Sequence, residues 1–285
     1  MSDHTRKPDK ETEPYLWRLE RGLHRAKLLL KKSARGFSNF DEEAILRRLI
    51  DELLPAGHSR TAVDIGAGDG VKGSNTYALF SAGWRGVGFE SHPRKAGKLA
   101  KTYERLPGVE ADARRVTPEN VAALLRGHNV AREFGVLSLD IDSYDYFVLD
   151  AILSEFRPRL VVTEINEKIP PPIRFRVKFD ADFRLSHHFF GYSIQSLAGL
   201  CAEHRYSIIE LEYNNAFLAP AETPGAHALD PADAYRRGYL ERPDRREKFS
   251  SNADVEDLHA MPPAAGVEFI KHFFSRHAGK YEVGL

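Results

Sequence analysis

The feature that most constrains the fold of this chain is a glycine-rich turn that directly follows an apolar run. The two together read Thr61-Ala-Val-Asp-Ile-Gly-Ala-Gly-Asp-Gly70. Glycine lacks a Cβ, so the backbone can turn sharply there and approach a ligand closely. A dinucleotide fingerprint would need its third glycine at position 71, which is Val71, and no P-loop Gly-Lys-Ser/Thr follows. The acid inside the run, Asp64, instead suits a ligand that carries an amino group.

Short apolar runs alternate with helical patterns from Arg60 to about Pro220, which is typical of βαβ units and a parallel sheet. The runs predict seven strands: Ala62–Ile65, Gly86–Glu90, Val109–Ala111, Gly135–Leu139, Leu160–Ile165, Ser207–Leu211 and Ala216–Ala219. The last two are too close together for a crossover helix, so we expect them to pair antiparallel. The predicted fold is therefore α/β, a doubly wound Rossmann-like sheet of seven strands that ends in an antiparallel hairpin.

Helical additions are expected at both ends of this sheet. We divide the chain into a disordered tail (1–14), N-terminal helices (15–57), a ligand-binding domain (58–220) and a C-terminal helical cap (221–285). A helix is predicted over 38–57, with Ser38 or Asn39 as its cap and Gly57 as its end. In the cap, helices are predicted at Pro231–Leu240 and Ala265–His277.

Residues 15–37 carry seven lysines and arginines against a single acid, Glu20, together with an apolar stripe at helical spacing. One interpretation is a helix that packs its stripe on its own domain or on a twin subunit in a homodimer. The alternative is a basic surface helix that makes peripheral contact with anionic lipid or a polyanionic glycan.

Overall composition narrows the class of protein. The chain has 285 residues, 42% of them hydrophobic, and 41 basic residues balance 41 acidic ones. This neutrality argues against a generic nucleic-acid binder. A single cysteine, Cys201, excludes an intrachain disulfide framework. The polar start and the lack of a long apolar run favour a cytoplasmic enzyme.

Two further acids end the second and third predicted strands. Glu90 follows Gly70 by 20 residues, and a carboxylate at that strand end can accept both hydroxyls of a ribose. Asp112 ends the third strand, where an acid can read the amino group of an adenine. Three acids in order at three successive strand ends predict a ligand with amino, ribose and adenine groups.

These residues resemble the successive motifs of class I S-adenosylmethionine-dependent methyltransferases, with Asp140 after the fourth strand as a further match. More narrowly, several strings resemble a little-characterised bacterial methyltransferase-like family: "SNFDEEAIL" (38–46), "DIGAGDG", "SNTY", "GWRG", "LSLDIDSYDY", "FFGYSIQSL" and "YNNAFLAP". The narrower resemblance covers about residues 38–285. This chain has Asp-Ser-Tyr-Asp at 142–145 where that family pattern has Asp-Gly-Asn-Asp, so Ser143 and Tyr144 are assigned no role.

The resemblance implies S-adenosylmethionine as cofactor and a set of residues that hold it. Asp64 would approach the methionine amino group, Glu90 the ribose and Asp112 the adenine. The full implied cofactor-binding set is Asp64, Gly66, Gly68, Gly70, Asn75, Thr76, Glu90, Ser91, Asp112, Ala113 and Asp140.

Acids also mark the ends of the fourth and fifth strands. Alternation places Asp140 and Asp142 on one face of the chain, and Glu164 and Asn166 likewise. Carboxylate and amide oxygens suit Mg²⁺, and the arrangement is similar to that of catechol O-methyltransferase and its relatives. We therefore name Asp142, Glu164 and Asn166 as candidate Mg²⁺ ligands. The alternative is that Asp140 contacts the cofactor and Glu164 only bonds backbone or substrate.

A long irregular stretch from 167 to 191 is predicted to form an active-site lid. Arg174 and Arg176 are candidate substrate-binding residues. Asp142, His187 and His188 are candidate catalytic residues, the histidines as general bases, with a solvated pair before a helix as the alternative.

The function predicted from these features is O-methylation of a small polar or sugar-type (glycan) hydroxyl. Two alternatives remain open. One is an S-adenosylmethionine-binding sensor or scaffold without catalysis, and the other is a protein or RNA methyltransferase that uses the basic N-terminal helix.

Overall fold

The computed structural model describes residues 36–285. The predicted disordered tail and nearly all of the predicted basic helix lie outside the described residues. The first described helix, α1, spans Glu42–Leu53 and buries Ile45, Leu46 and Leu49. It is shorter than the predicted 38–57. Asp41 precedes it, while the Ser38 hydroxyl accepts a hydrogen bond from the Glu43 amide at 3.1 Å.

Seven strands form one sheet in the order β3-β2-β1-β4-β5-β8-β7, and β8 runs antiparallel to both its neighbours. The strands of the chain are β1 Thr61–Ile65, β2 Arg85–Phe89, β3 Val109–Asp112, β4 Val136–Leu139, β5 Leu160–Glu164, β6 Arg174–Val177, β7 Tyr206–Glu212, β8 Asn215–Pro220 and β9 Tyr281–Gly284. The predicted seven-stranded sheet with an antiparallel end is confirmed, and each predicted strand agrees with its observed bounds to within one residue.

Helices cover both faces of this sheet because alternate strand residues are apolar on both sides. In β1, Val63 and Ile65 join the core on one face, and Ala62 joins the core on the other. The remaining α-helices are α2 Tyr77–Ser81, α3 Pro93–Tyr103, α4 Val121–Gly127, α5 Asp145–Glu155, α6 Ile194–His204, α7 Pro231–Tyr235, α8 Arg245–Lys248 and α9 Pro263–Phe273. Across residues 36–285, no helix is both long enough and apolar enough to pass through a bilayer.

The stretch predicted as an irregular lid instead contains a strand. β6 pairs antiparallel with β9, so the loop after β5 is joined to the C-terminus of the chain. A third apolar cluster, including Phe175, Phe189, Ile270 and Phe274, packs around this two-stranded sheet and α9. A π-helical turn (Arg236–Leu240) and 3₁₀ helices (Ser250–Ala260 and Ser275–His277) complete the C-terminal segment.

Candidate functional site

A cavity of about 430 Å³ opens at the carboxyl ends of β1, β2 and β4, where α/β sheets bind their ligands. Seven residues of the predicted cofactor set line it: Asp64, Gly66, Gly68, Asn75, Glu90, Ser91 and Asp140. The candidate catalytic residue Asp142 also lines it. Four members of the set lie outside the lining: Gly70, Thr76, Asp112 and Ala113.

The glycines after β1 have three different surroundings. Gly66 has φ +92°, and a Cβ there would lie 1.6 Å from the backbone oxygen of Asp140. A Cβ on Gly70 would lie 2.7 Å from the Leu99 side chain and 2.8 Å from that of Tyr103. A Cβ on Gly68 would meet no protein atom within 4 Å among the described residues. Gly66 and Gly70 therefore serve close packing, whereas Gly68 leaves room for a ligand.

Asp64 is a buried carboxylate held by hydroxyl groups. The Thr76 hydroxyl donates to its Oδ2 at 2.6 Å, and the Ser74 hydroxyl lies 3.5 Å from the same atom. Burial raises the pKa of Asp64 to about 6, although these hydroxyls partly offset the effect. Thr76 is fully buried and thus orients Asp64 from behind instead of facing the cavity.

Glu90 is fixed at the end of β2 by two backbone amides. Its Oε1 accepts from the His92 amide at 2.6 Å and its Oε2 from the Gly68 amide at 3.1 Å. The glycine turn and the second strand end are thereby joined through one carboxylate. Both of its oxygens keep free lone pairs, which two ribose hydroxyls could use.

Asp112 is paired with protein groups instead of facing the cavity. Burial would raise the pKa of Asp112, but hydrogen bonds from Arg114 and His128 outweigh it and hold that pKa well below its usual range. The His128 Nε2 lies 2.8 Å from Asp112 Oδ2, and Arg114 Nε lies at the same distance. Arg114 itself lines the cavity. At the end of β3 the cavity is therefore lined by the Arg114 guanidinium group and not by the Asp112 carboxylate.

Three carboxylates converge beside the ends of β4 and β5. Asp140, Asp142 and Glu164 each offer an oxygen within 4.8 Å of the others. Burial and the negative charges of Asp142 and Asp145 raise the pKa of Asp140 to about 7. Burial and the negative charges of Asp140 and Asp142 also raise the pKa of Glu164 well above its usual range. Burial and mutual repulsion thus favour the protonated forms of these carboxyl groups, and a bound cation would favour the ionised forms.

The turn after β4 aims Asp142 at the cavity. Asp142 has φ +54°, and the Asp145 carboxylate accepts hydrogen bonds from the amides of Ile141 (2.7 Å) and Ser143 (2.8 Å). Burial raises the pKa of Asp142, and the charges of Lys95 and Lys168 partly offset this.

The two residues that depart from the family pattern have structural contacts. The Ser143 carbonyl accepts from the Gly191 amide at 2.8 Å. The Tyr144 hydroxyl donates to the Val116 carbonyl at 3.1 Å. Both residues also line the cavity. They connect the turn after β4 to the loops on either side of it.

Asn166 is buried and holds the loop before α6. Its Nδ2 donates to the carbonyls of His188 and Phe190, both at 3.0 Å. Its Oδ1 has no hydrogen-bond partner among residues 36–285. Of the predicted metal ligands, the structure thus brings Asp142 and Glu164 together with Asp140, while Asn166 contacts backbone.

The candidate substrate and histidine residues lie outside the cavity lining. Arg174 is exposed in β6, and Arg176 pairs with Glu282 of β9 at 2.7 Å. His187 and His188 both contact Asp254. These contacts join the loop after β5 to the C-terminal segment.

Several basic and apolar groups that line the cavity were not identified from the sequence. They are Lys72, Lys95, Arg114, Arg115, Phe183 and Leu185. The dipeptide Arg114-Arg115, shortly after the acid of the third strand, is the available signal. Arg115 donates to the Ala181 carbonyl at 2.6 Å, which joins it to the loop that carries Phe183 and Leu185.

No family model matches the chain, and no curated protein matches it. Several solved structures are similar to this chain. The N-terminal domain of EvdMO1, with SAH bound, is 11% identical over 65% of this chain and 82% of that one, with a TM-score of 0.42. An O-methyltransferase from Bacillus cereus in complex with SAH is 17% identical over 75% of this chain and 92% of that one, with a TM-score of 0.41. The CurJ carbon methyltransferase is 10% identical over 67% of this chain and 58% of that one, and its TM-score is also 0.41.

The strand order, the antiparallel end of the sheet and the glycine turn at the cavity define the class I methyltransferase fold. The fold expected from the sequence is thereby confirmed. The narrower family resemblance stays a prediction.

Proposed function

We propose that the chain is an S-adenosylmethionine-dependent methyltransferase that methylates a hydroxyl of a small polar or sugar-type acceptor. The observation that carries the proposal is the shared cavity of Asp64, Glu90 and the glycine turn. A buried carboxylate, a fixed carboxylate and an open backbone suit the ammonium, ribose and sulfonium parts of that cofactor.

The residues fit the cofactor in different ways. Asp64, held by Thr76, would accept the ammonium group, and Glu90 would accept the ribose hydroxyls. When bound, S-adenosylmethionine supplies a methyl group on a positively charged sulfur. Loss of the methyl group would turn this sulfonium into a neutral thioether, which is the leaving group. The adenine role of Asp112 stays a prediction, because Arg114 and His128 occupy its carboxylate.

The chain's own residues would orient the acceptor and take its proton. Asp142 lines the cavity, and in the absence of a metal ion it would take the proton of the acceptor hydroxyl, since its raised pKa makes it a better base than an ordinary aspartate. Lys72, Lys95 and Arg115 also line the cavity, and they suit an acceptor with polar or anionic substituents. Phe183 and Leu185 would exclude water from the methyl group.

The acidic cluster favours a Mg²⁺ ion held by Asp140, Asp142 and Glu164. Three carboxylates are the donor set of a hard cation. Such an ion would lower the pKa of a bound hydroxyl.

The test of the proposal combines binding with turnover. Calorimetry should show S-adenosylmethionine binding that Glu90→Gln weakens, and a panel of sugars and small hydroxyl metabolites should yield a methylated product. Tight binding without product across the panel would favour the sensor alternative. Salt-sensitive RNA binding that is lost on deletion of residues 1–37 would favour the nucleic-acid alternative.

Metal removal is expected to stop turnover. EDTA should lower the rate more than about tenfold, and added Mg²⁺ should restore it, because the cluster then regains its neutralising cation. Glu164→Gln should also cost more than about tenfold, or roughly 1.4 kcal/mol of barrier. Asp51→Asn, at an exposed site on α1, serves as the control. If EDTA and Glu164→Gln both leave the rate within that limit, no metal is used.

A further inference from the structure

A second group of metal-binding side chains lies outside the cavity, where the loop after β6 meets the 3₁₀ helix Ser250–Ala260. It consists of His187, His188 and Asp254, whose ligand atoms all lie within 4.8 Å of one another. No residue of this group lines the large cavity. The two sites differ in chemistry, since the cavity cluster offers oxygen only and this one offers imidazole nitrogen.

The backbone at His187 brings two consecutive side chains together. Consecutive side chains of an extended segment point to opposite sides. His187 instead has φ +45°, in the left-handed region that residues other than glycine rarely adopt. The imidazole rings of His187 and His188 lie face to face, with centroids 3.6 Å apart and planes at 30°. Unfavourable backbone of this kind is concentrated at functional sites.

Both rings direct the same nitrogen at one carboxylate. His187 Nε2 lies 3.0 Å from Asp254 Oδ2, and His188 Nε2 lies 2.9 Å from Asp254 Oδ1. Zinc–ligand bonds of about 2.0–2.2 Å at tetrahedral angles separate neighbouring donor atoms by about 3.3–3.5 Å. The two nitrogen–oxygen separations are therefore a few tenths of an ångström shorter than in a zinc site, and all three ligand atoms lie within 4.8 Å of one another. The two rings, now at 30°, would turn further to point both nitrogens at one ion.

The three side chains differ in their exposure to solvent. His188 is buried, with one face on His187 and its ring near that of Phe273, whose centroid is 5.9 Å away. His187 and Asp254 are about half exposed, at 60% and 46% of their side-chain surface, so water can complete the coordination.

We propose that His187, His188 and Asp254 form a Zn²⁺ site with two imidazole ligands, one carboxylate ligand and an open position for water. This donor set suits zinc and not Mg²⁺, which prefers oxygen alone. The ion would join the loop that Asn166 holds to the C-terminal segment. The inference does not depend on the proposed methyl transfer.

The test uses the full chain without a histidine tag, freed of metal by dialysis against a chelator. Calorimetry with ZnCl₂ in excess Mg²⁺, which would fill the acidic cluster, should show saturable binding of one ion per chain, and Co²⁺ should give the strong visible bands of four-coordinate cobalt. His187→Gln and Asp254→Asn should each weaken Zn²⁺ binding more than the roughly 10- to 100-fold that loss of an outer-shell partner costs. Zn²⁺ should raise the Tm of the parent chain and not that of Asp254→Asn.

Matched controls separate this site from other acids and histidines. Asp257→Asn, exposed on the same 3₁₀ helix, and His227→Gln, an exposed histidine, should bind Zn²⁺ like the parent. Asp142→Asn should also leave it unchanged, which separates the site from the acidic cluster. The proposal is overturned if the parent shows no saturable binding, or if Asp254→Asn and His187→Gln bind like the parent. In that case the three side chains are a hydrogen-bonded clamp only.

Discussion

Gly66→Ala is expected to lower the free energy of unfolding by about 2–5 kcal/mol and to abolish cofactor binding. The left-handed conformation at φ +92° costs an alanine about 1–2 kcal/mol. Its Cβ would also lie 1.6 Å from the Asp140 oxygen, and overpacking of this kind costs about 1–3 kcal/mol more. Backbone must therefore move at the point where β1 and β4 meet beneath the cavity. Urea unfolding and calorimetry with S-adenosylmethionine measure the two effects.

Two other glycines separate the cost in stability from the cost in binding. The Cβ of Gly68→Ala would meet no atom of residues 36–285 within 4 Å, so this variant should lose only about 1–2 kcal/mol of stability while still weakening cofactor binding. Gly86→Ala, whose Cβ would lie 1.8 Å from the Ala62 oxygen, should be strongly destabilised although it does not line the cavity. If Gly66→Ala binds cofactor as tightly as the parent, the assignment of this turn to the cofactor is wrong.

The sheet could be predicted because its signals are local. Apolar runs, glycine turns and the short link between the last two strands each report on a few neighbouring residues. The pairing of β6 with β9 could not, since Arg176 and Glu282 are 106 residues apart and neither strand has a distinctive pattern. A large separation in the sequence also hides the contact of His187 and His188 with Asp254, which lies 66 residues beyond His188. The catalytic role of the two histidines stays a prediction.

The candidate site was predictable where a residue's role follows from its place on a strand. Asp64, Glu90 and Asp140 stand at strand ends, and all three line the cavity. Asp112 stands at such a position too, yet its carboxylate is taken by Arg114 and His128. The position of a residue on a strand determines where its side chain leaves the backbone. Which group the side chain contacts depends on the other side chains nearby.

Asp64→Asn is expected to weaken S-adenosylmethionine binding roughly 10- to 100-fold at pH 8, which corresponds to about 1.5–3 kcal/mol for a hydrogen bond to a charged group. In the parent, only the carboxylate form of Asp64 would bind the ammonium group. Because the pKa of Asp64 in the free protein is about 6, affinity should fall about tenfold per pH unit below pH 6. Cofactor binding in that range should release a proton. Calorimetry from pH 5 to 8 measures both quantities.

Two comparisons show whether Asp64 causes this pH dependence. In Asp64→Asn, the fall in cofactor affinity below pH 6 that is due to Asp64 should be absent. Thr76→Val removes a 2.6 Å hydrogen bond that lowers the pKa of Asp64, so the midpoint should move to higher pH. The unfolding free energy gives an independent check. With a folded pKa near 6 and an unfolded pKa near 3.9, the folded chain keeps this proton longer, so the Asp64 contribution falls as pH rises from about 4 to 6. The difference between parent and Asp64→Asn should change across that window alone, and an unchanged difference there would contradict the assignment.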